Sequence, residues 1–395
     1  VVVEEIKKGE DSPGQKASKL LFSTAYSKHP YRLPVIGFEK NVRSWSEKKI
    51  RDYYCGRYSP KNMFLVVAGD FKSDEIKKRI QNYFNEVPSF KIKKSKRVKE
   101  PVQKKYKVAV EQASFEQSLL YLSWKTPTVK HKDIPALDLL ALIFGQGDSS
   151  RLVKKLRIEK AVVNSIGSSL FSAQDQGLFV ISMGYNKENL SEALDGAKDC
   201  IQKIITGEIS DEELKKAITN IESEQFYASE TVDGLARQVG QSEFLMNRPD
   251  YLKKYLSQIC KVTEMELKQI AKKYLAPSTM TLACLTNDKK AAVRKKLEKW
   301  TATYSKDFSK YKISKTIKPK MKLGKTWTTS LNSNKSELKI IPLKSGVRVL
   351  LRKTEDTHMV CARAAFLGGA RAEDLFQEGA VELLGRSWTG GTENL

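Results

Sequence analysis

The chain has 395 residues, 40% hydrophobic and 29% charged, which is enough apolar material for a sizeable core in two or three domains. Seventy lysines and arginines against 46 acids leave a formal net charge of +24. No apolar run approaches the roughly 20 residues of a membrane-spanning helix. Five widely spaced cysteines without a Cys-x-x-Cys pair support neither a disulfide framework nor a zinc knuckle.

The basic charge has three readings: nucleic acid, acidic partners, or a solvated lysine-rich surface. Its densest runs, 91–99, 104–107 and 318–325, lie between predicted elements and carry few aromatics for stacking bases. The solvated surface is the better reading, and no nucleic-acid partner is expected.

In chain order, Val1–Glu5 reads as the interior of a structured element, so a truncated start is expected. Residues 47–57 and 74–84 have helical patterns, with Ser73 placed to cap the second. Met63–Ala68 is a short β-rich run. Tyr106–Val110 and Ser118–Trp124 read as strands, Ile134–Phe144 as a buried helix, and Leu178–Gly184 as another strand. Helical stretches follow at Asn189–Ile205 and Asp211–Phe226, and Ser210 with Glu213 forms a capping box for the second. Lys306–Lys335 shows no apolar period and reads as a linker. Glu337–Ile341, Lys344-Ser345-Gly346 and Val347–Arg352 predict a β-hairpin. Strands mixed with segregated long helices give an α+β class.

An internal repeat runs through this order. Tyr58, Pro60 and Met63 recur as Tyr274, Pro277 and Met280, the two methionines 217 residues apart. In each copy an apolar strand, an acidic turn (Gly69-Asp70, Asn287-Asp288) and a basic helix follow. Two homologous units are expected, 1–95 as the rear of a first domain and 96–305 as a second. A linker at 306–335 and the start of a third domain at 336–395 complete the division.

Three blocks, VVVEEIKKGEDSP at the start, HPYRLPVIG at His29–Gly37 and YSPKNMFLVVAGD at Tyr58–Asp70, resemble the pitrilysin/insulinase-type zinc metallopeptidases. Gly147–Leu156 with Arg157 and Ile158 resembles a block of that family's second domain, and Gly368–Thr392 resembles the stretch around its zinc motif. The resemblance implies repeated sheet-plus-helices domains of the LuxS/processing-peptidase-like type, two per half, closing around a peptide substrate. The present chain is then expected to be the middle of such a protein, partnered by the rest of its own polypeptide or a homologous subunit. A non-catalytic binding or scaffold subunit on the same fold is the alternative.

The family's chemistry needs His-x-x-Glu-His on a helix, two imidazoles one turn apart on one zinc, with a distant Glu as third ligand. That motif is absent from this sequence, whose only histidines are His29, His131 and His358. Glu5 matches the third ligand by its place in the first block, although its ordinary reading is an exposed helical carboxylate. In the later copy the three motif positions hold Glu382, Gly385 and Arg386; an Arg does not ligate zinc and a Gly has no carboxylate to act as base, so that copy is expected to be inert. Arg157 matches a substrate-approaching arginine, but its usual tyrosine partner is replaced by Asn164. A surface arginine at a helix end is the competing reading. His29 precedes Pro30 without a carboxylate or thiol at fixed spacing, and His131 and His358 are ordinary. Gly145–Ser150 lacks the Gly-Lys-Ser/Thr ending of a phosphate loop. A helix-entry turn capped by Ser149 or Ser150 fits it better.

Overall fold

The computed structural model describes residues 1–92, 98–207, 209–313, 338–345, 347–352 and 380–383. Residues 1–326 pack as one unit and residues 327–395 as another.

The first unit opens with α1 (Val2–Glu10) and α2 (Pro13–Ala25), and Pro13 suits a first helical turn because its missing N–H has no intrahelical role there. A turn at Pro30–Arg32 leads to α3 (Glu39–Arg43), α4 (Glu47–Arg57) and α5 (Ser73–Phe84). Next come β1 (Lys107–Gln112), β2 (Ser118–Lys125), the apolar helix α6 (Ile134–Gly145), β3 (Ser165–Phe171) and β4 (Leu178–Tyr185). Helices α7 (Leu190–Thr206), α8 (Asp211–Ala228), α9 (Val232–Met246), α10 (Tyr251–Ile259) and α11 (Glu264–Tyr274) follow. The unit closes with β5 (Met280–Thr286) and α12 (Lys290–Lys310). The sheet order is β1-β5-β2-β4-β3, with β1 parallel to β5 and the other neighbours antiparallel. In the second unit, β6 (Leu338–Pro342) and β7 (Arg348–Arg352) form the antiparallel hairpin that the intervening turn predicts.

Successive strand residues point to opposite faces, so each strand serves two cores. Leu120, Leu122 and Trp124 of β2, with Phe179 and Ile181 of β4, enter the main core beside α6, α7, α11 and α12. The other face carries Tyr121, Leu178, Val180 and Ala283, and Leu21, Ala25 and Tyr26 from α2 and its end cover it. All seven residues of β5 are buried.

The local order of elements recurs at both places. In the second copy α11, a turn at Pro277–Thr279, β5 and α12 follow in order. In the first copy α4, a turn at Pro60–Asn62 and α5 match it. Met63 has extended backbone (φ −138°, ψ 158°), as Met280 does (φ −76°, ψ 142°). The strand expected at Met63–Ala68 does not form, however, because no described strand pairs with it. Its side chains are correspondingly bare: Met63, Phe64 and Leu65 are about half exposed, where Met280 is fully buried.

Other expectations need correction at their edges. Lys72, not Ser73, is the N-cap of α5, and no side chain caps it. α12 continues to Lys310 because Tyr304, Phe308 and Tyr311 carry an apolar face into the core, so Lys306–Lys310 is helix and not linker. Ser210 does accept from the Glu213 N–H (3.1 Å), but the Glu213 carboxylate leaves the expected box and binds Arg151 at 2.6 and 2.7 Å. Gly385 and Arg386 lie outside the described residues.

α6 ends hard against β3. A Cβ on Gly145 would lie 2.4 Å from the Ser168 nitrogen and 2.8 Å from the Gly167 carbonyl carbon, both backbone atoms. Gly145→Ala is therefore expected to destabilise the first unit by about 1–3 kcal/mol through overpacking, read as a lowered denaturant midpoint at unchanged slope.

Candidate functional site

Glu5 stands on α1, a helix with no buried residue. It is exposed and has no ion pair among the described residues, whereas its neighbour Glu4 pairs with Lys7 at 3.1 Å. Adjacent helical residues do not share a face, so the two carboxylates point apart. A catalytic zinc takes three protein ligands. Among the described residues no three His, Cys, Asp or Glu side chains cluster closely enough to hold a metal. Glu5 is a single donor, so these residues do not make a zinc site by themselves.

Arg157 sits in a π-helical turn, Val153–Glu159. Leu156 is seated over Gly196 of α7, where a Cβ would come within 2.3 Å of its Cδ2. Ala161, in left-handed backbone (φ 51°), follows the turn. Arg157 is about half exposed, 3.7 Å from Asp148, while Asn164 donates to Asn186 at 3.1 Å. The two residues thus have different partners. The glycine-rich turn is a helix entry as expected, with Gly147 at positive φ (80°), but Ser150 Oγ donates to the Gly147 carbonyl (2.7 Å) instead of capping. A pocket beside it, lined by Gln146, Ser149, Ser150, Glu213, Lys216 and Asn220 among others, holds about 30 Å³. That is room for about two waters and no peptide.

His29 is buried and structurally satisfied. Its Nδ1 accepts the Tyr31 N–H at 3.2 Å, leaving Nε2 to face Asp175 at 3.3 Å. Glu100 accepts backbone N–H groups from Ser27, Lys28 and His29 at 2.7–2.9 Å. Burial pushes its carboxyl up, but these three bonds outweigh burial and hold it below its ordinary range. Lys107 donates to the Thr24 and Ala25 carbonyls and to Ser27 Oγ. Tyr26 donates to the Gln176 carbonyl at 2.7 Å. Sequence reading passed over this junction, because its members lie up to 150 residues apart and only His29 stood out. His131, the second histidine, accepts the Asp133 N–H at 3.1 Å in a loop before α6.

The sequence profile of the peptidase M16 inactive domain matches residues 44–221. The zinc protease PqqE of Helicobacter pylori is 30% identical over 278 residues, covering 67% of this chain and 60% of that protein. The uncharacterised zinc protease YmxG of Bacillus subtilis is 25% identical, covering 66% and 62%. Among solved structures, a protease from Helicobacter pylori superposes with a TM-score of 0.66 at 26% identity, over 72% of this chain and 70% of that one. The chain belongs to the pitrilysin/insulinase-type, or M16, peptidase family. It spans about 60% of the length of the curated relatives it matches. The periplasmic protease PqqL of Escherichia coli shares the fold (TM-score 0.63, 16% identity), over 89% of this chain and 41% of that protein.

The M16 relatives are named zinc proteases, so zinc belongs to the family, while the described residues of this member hold no cluster that would ligate it. The M16 fold here presents an ordered junction around Glu100, whose carboxylate accepts three backbone N–H groups. A carboxylate held below its ordinary range stabilises the fold above the unfolded-state value, and that contribution disappears as pH falls through the lower folded value. Glu100→Gln is expected to lower stability at pH 7 and to shrink the loss of stability below about pH 4, measured as denaturant midpoint against pH.

Proposed function

We propose that these 395 residues serve as one portion of an M16-type zinc endopeptidase, in which the His-x-x-Glu-His helix lies outside this sequence. The observation that carries this is the pairing of family membership with a sequence of only three histidines, none within helix spacing of another. Two imidazoles and a general base must come from elsewhere, in the same polypeptide or a homologous subunit. Glu5 is our candidate third ligand: it matches the family position and stands exposed on α1 without an ion-pair partner among the described residues. Arg157, exposed on its π-helical turn, is our candidate contact to a peptide substrate enclosed in a chamber.

The repeat supports a division into 1–95 and 96–305 as two homologous copies. β5 is fully buried between a parallel and an antiparallel neighbour, whereas Met63–Leu65 is half bare. In the same reading the first copy is completed by strands from the rest of the assembly.

This chain alone is expected to hydrolyse no peptide and to retain less than about one zinc in ten chains after mild chelation, since one carboxylate cannot hold the ion. In the assembly that supplies the two histidines, Glu5→Gln should lower zinc occupancy at least about tenfold and Glu4→Gln should leave it unchanged. Metal analysis of the two variants decides this, and an effect of Glu4→Gln without one of Glu5→Gln overturns the assignment.

A further inference from the structure

The face of the sheet opposite the main core is covered by one stretch of chain, α2 and the turn after it. Its fastening draws on four segments. Lys125, the last residue of β2, is 8% exposed, and its Nζ lies 3.2 Å from the centre of the Tyr26 ring. That amine has no hydrogen-bond partner among the described residues. An ammonium offers three donors, so a charged Lys125 is left with only the ring face and the Glu100 charge. Glu100 is already occupied by three backbone N–H groups, and a second cation, Lys107, stands nearby on β1. The Tyr26 hydroxyl is tied to Gln176, which keeps the ring over the amine.

We propose that the chain from Pro13 to Arg32 is a proton-responsive strap, closed over the sheet while Lys125 is neutral and loosened when Lys125 takes up a proton. Closing takes water away from the amine and sets it beside Lys107, both of which favour the neutral form. Opening removes Tyr26 and returns Lys125 to water, where it is charged. The strap therefore takes up a proton as it opens.

Burial and the Lys107 charge act with that sign, while the Glu100 charge and the Tyr26 ring face act against it. Burial first, with the Lys107 charge in support and the Glu100 charge opposing, brings Lys125 from 10.5 down to about 7 in the closed strap. Stability of closure is accordingly lowest at and below about pH 7 and rises towards pH 10. Lys107 is pushed down by its own burial and acts in the same direction. Tyr26 is raised by burial above its ordinary 10.0, so its opposing effect begins only above the window. Glu100 is held low and acts below it. His29 and Tyr31 pack against Tyr26, Asp175 faces His29 at 3.3 Å, and Tyr121, raised by burial, lies on the same face of the sheet.

Hydrogen exchange on the full chain tests this, comparing α2 amides with α6 amides at pH 7.0 and 9.5 after correction for intrinsic exchange. In the wild type, α2 protection relative to α6 should rise at least about tenfold at the higher pH. Lys125→Met should abolish most of that rise, and Lys125→Arg should leave α2 loose at both values. A flat wild-type ratio overturns the proposal, as does a full response retained in Lys125→Met. If Lys125→Met fails to fold, the wild-type ratio decides by itself.

Discussion

A sheet with two apolar faces has to be covered twice, and that requirement organises residues 1–313. β5 sits between β1 and β2 with every residue buried, so its two faces need separate layers of side chains. The main core is built by helices that follow the strands in sequence, above all α6, where eleven of twelve residues are buried. The second face is covered by α2, which precedes β1 by more than eighty residues. Long-range coverage of this kind has no local signal, and it needs a fastening. The junction of Tyr26, His29, Glu100, Lys107 and Lys125 supplies it.

The same requirement explains the contrast between the two copies of the repeat. Helix, proline turn, apolar segment and basic helix recur in both, since each depends on nearby residues. Strand formation depends on neighbours. Thr281–Leu285 is paired on both sides, while Met63–Ala68, with comparable apolar residues, has no strand partner among the described residues. Val66 lies near α9, its Cγ2 3.7 Å from where a Cβ on Gly240 would stand.

Charge plays different parts at the surface and inside. Exposed pairs such as Arg51–Glu47 contribute little. Partly shielded ionic groups behave differently, and two of them show opposite cases. Arg151 grips Glu213 with two bonds, joining the helix entry after Gly147 to the first turn of α8. Lys125 has the opposite situation, a shielded amine with no hydrogen-bond partner among the described residues.

The sequence by itself determined the local elements and the family. Capping by Ser210, the apolar run of α6, the Lys-Ser-Gly hairpin turn and the proline-led repeat all follow from residues within a few positions of one another. The absence of His-x-x-Glu-His was equally plain, because a two-ligand helix motif is local. Only the tertiary structure decided where Glu213 spends its carboxylate, that Arg157 lies on a π-helical turn over Gly196, and that Met63–Ala68 has no strand partner among the described residues. It alone brought Lys125 under Tyr26, about a hundred residues away in the chain. Local structure is set by short-range sterics and hydrogen bonds, whereas burial, strand pairing and the charge state of an amine depend on which distant side chains exclude water from it.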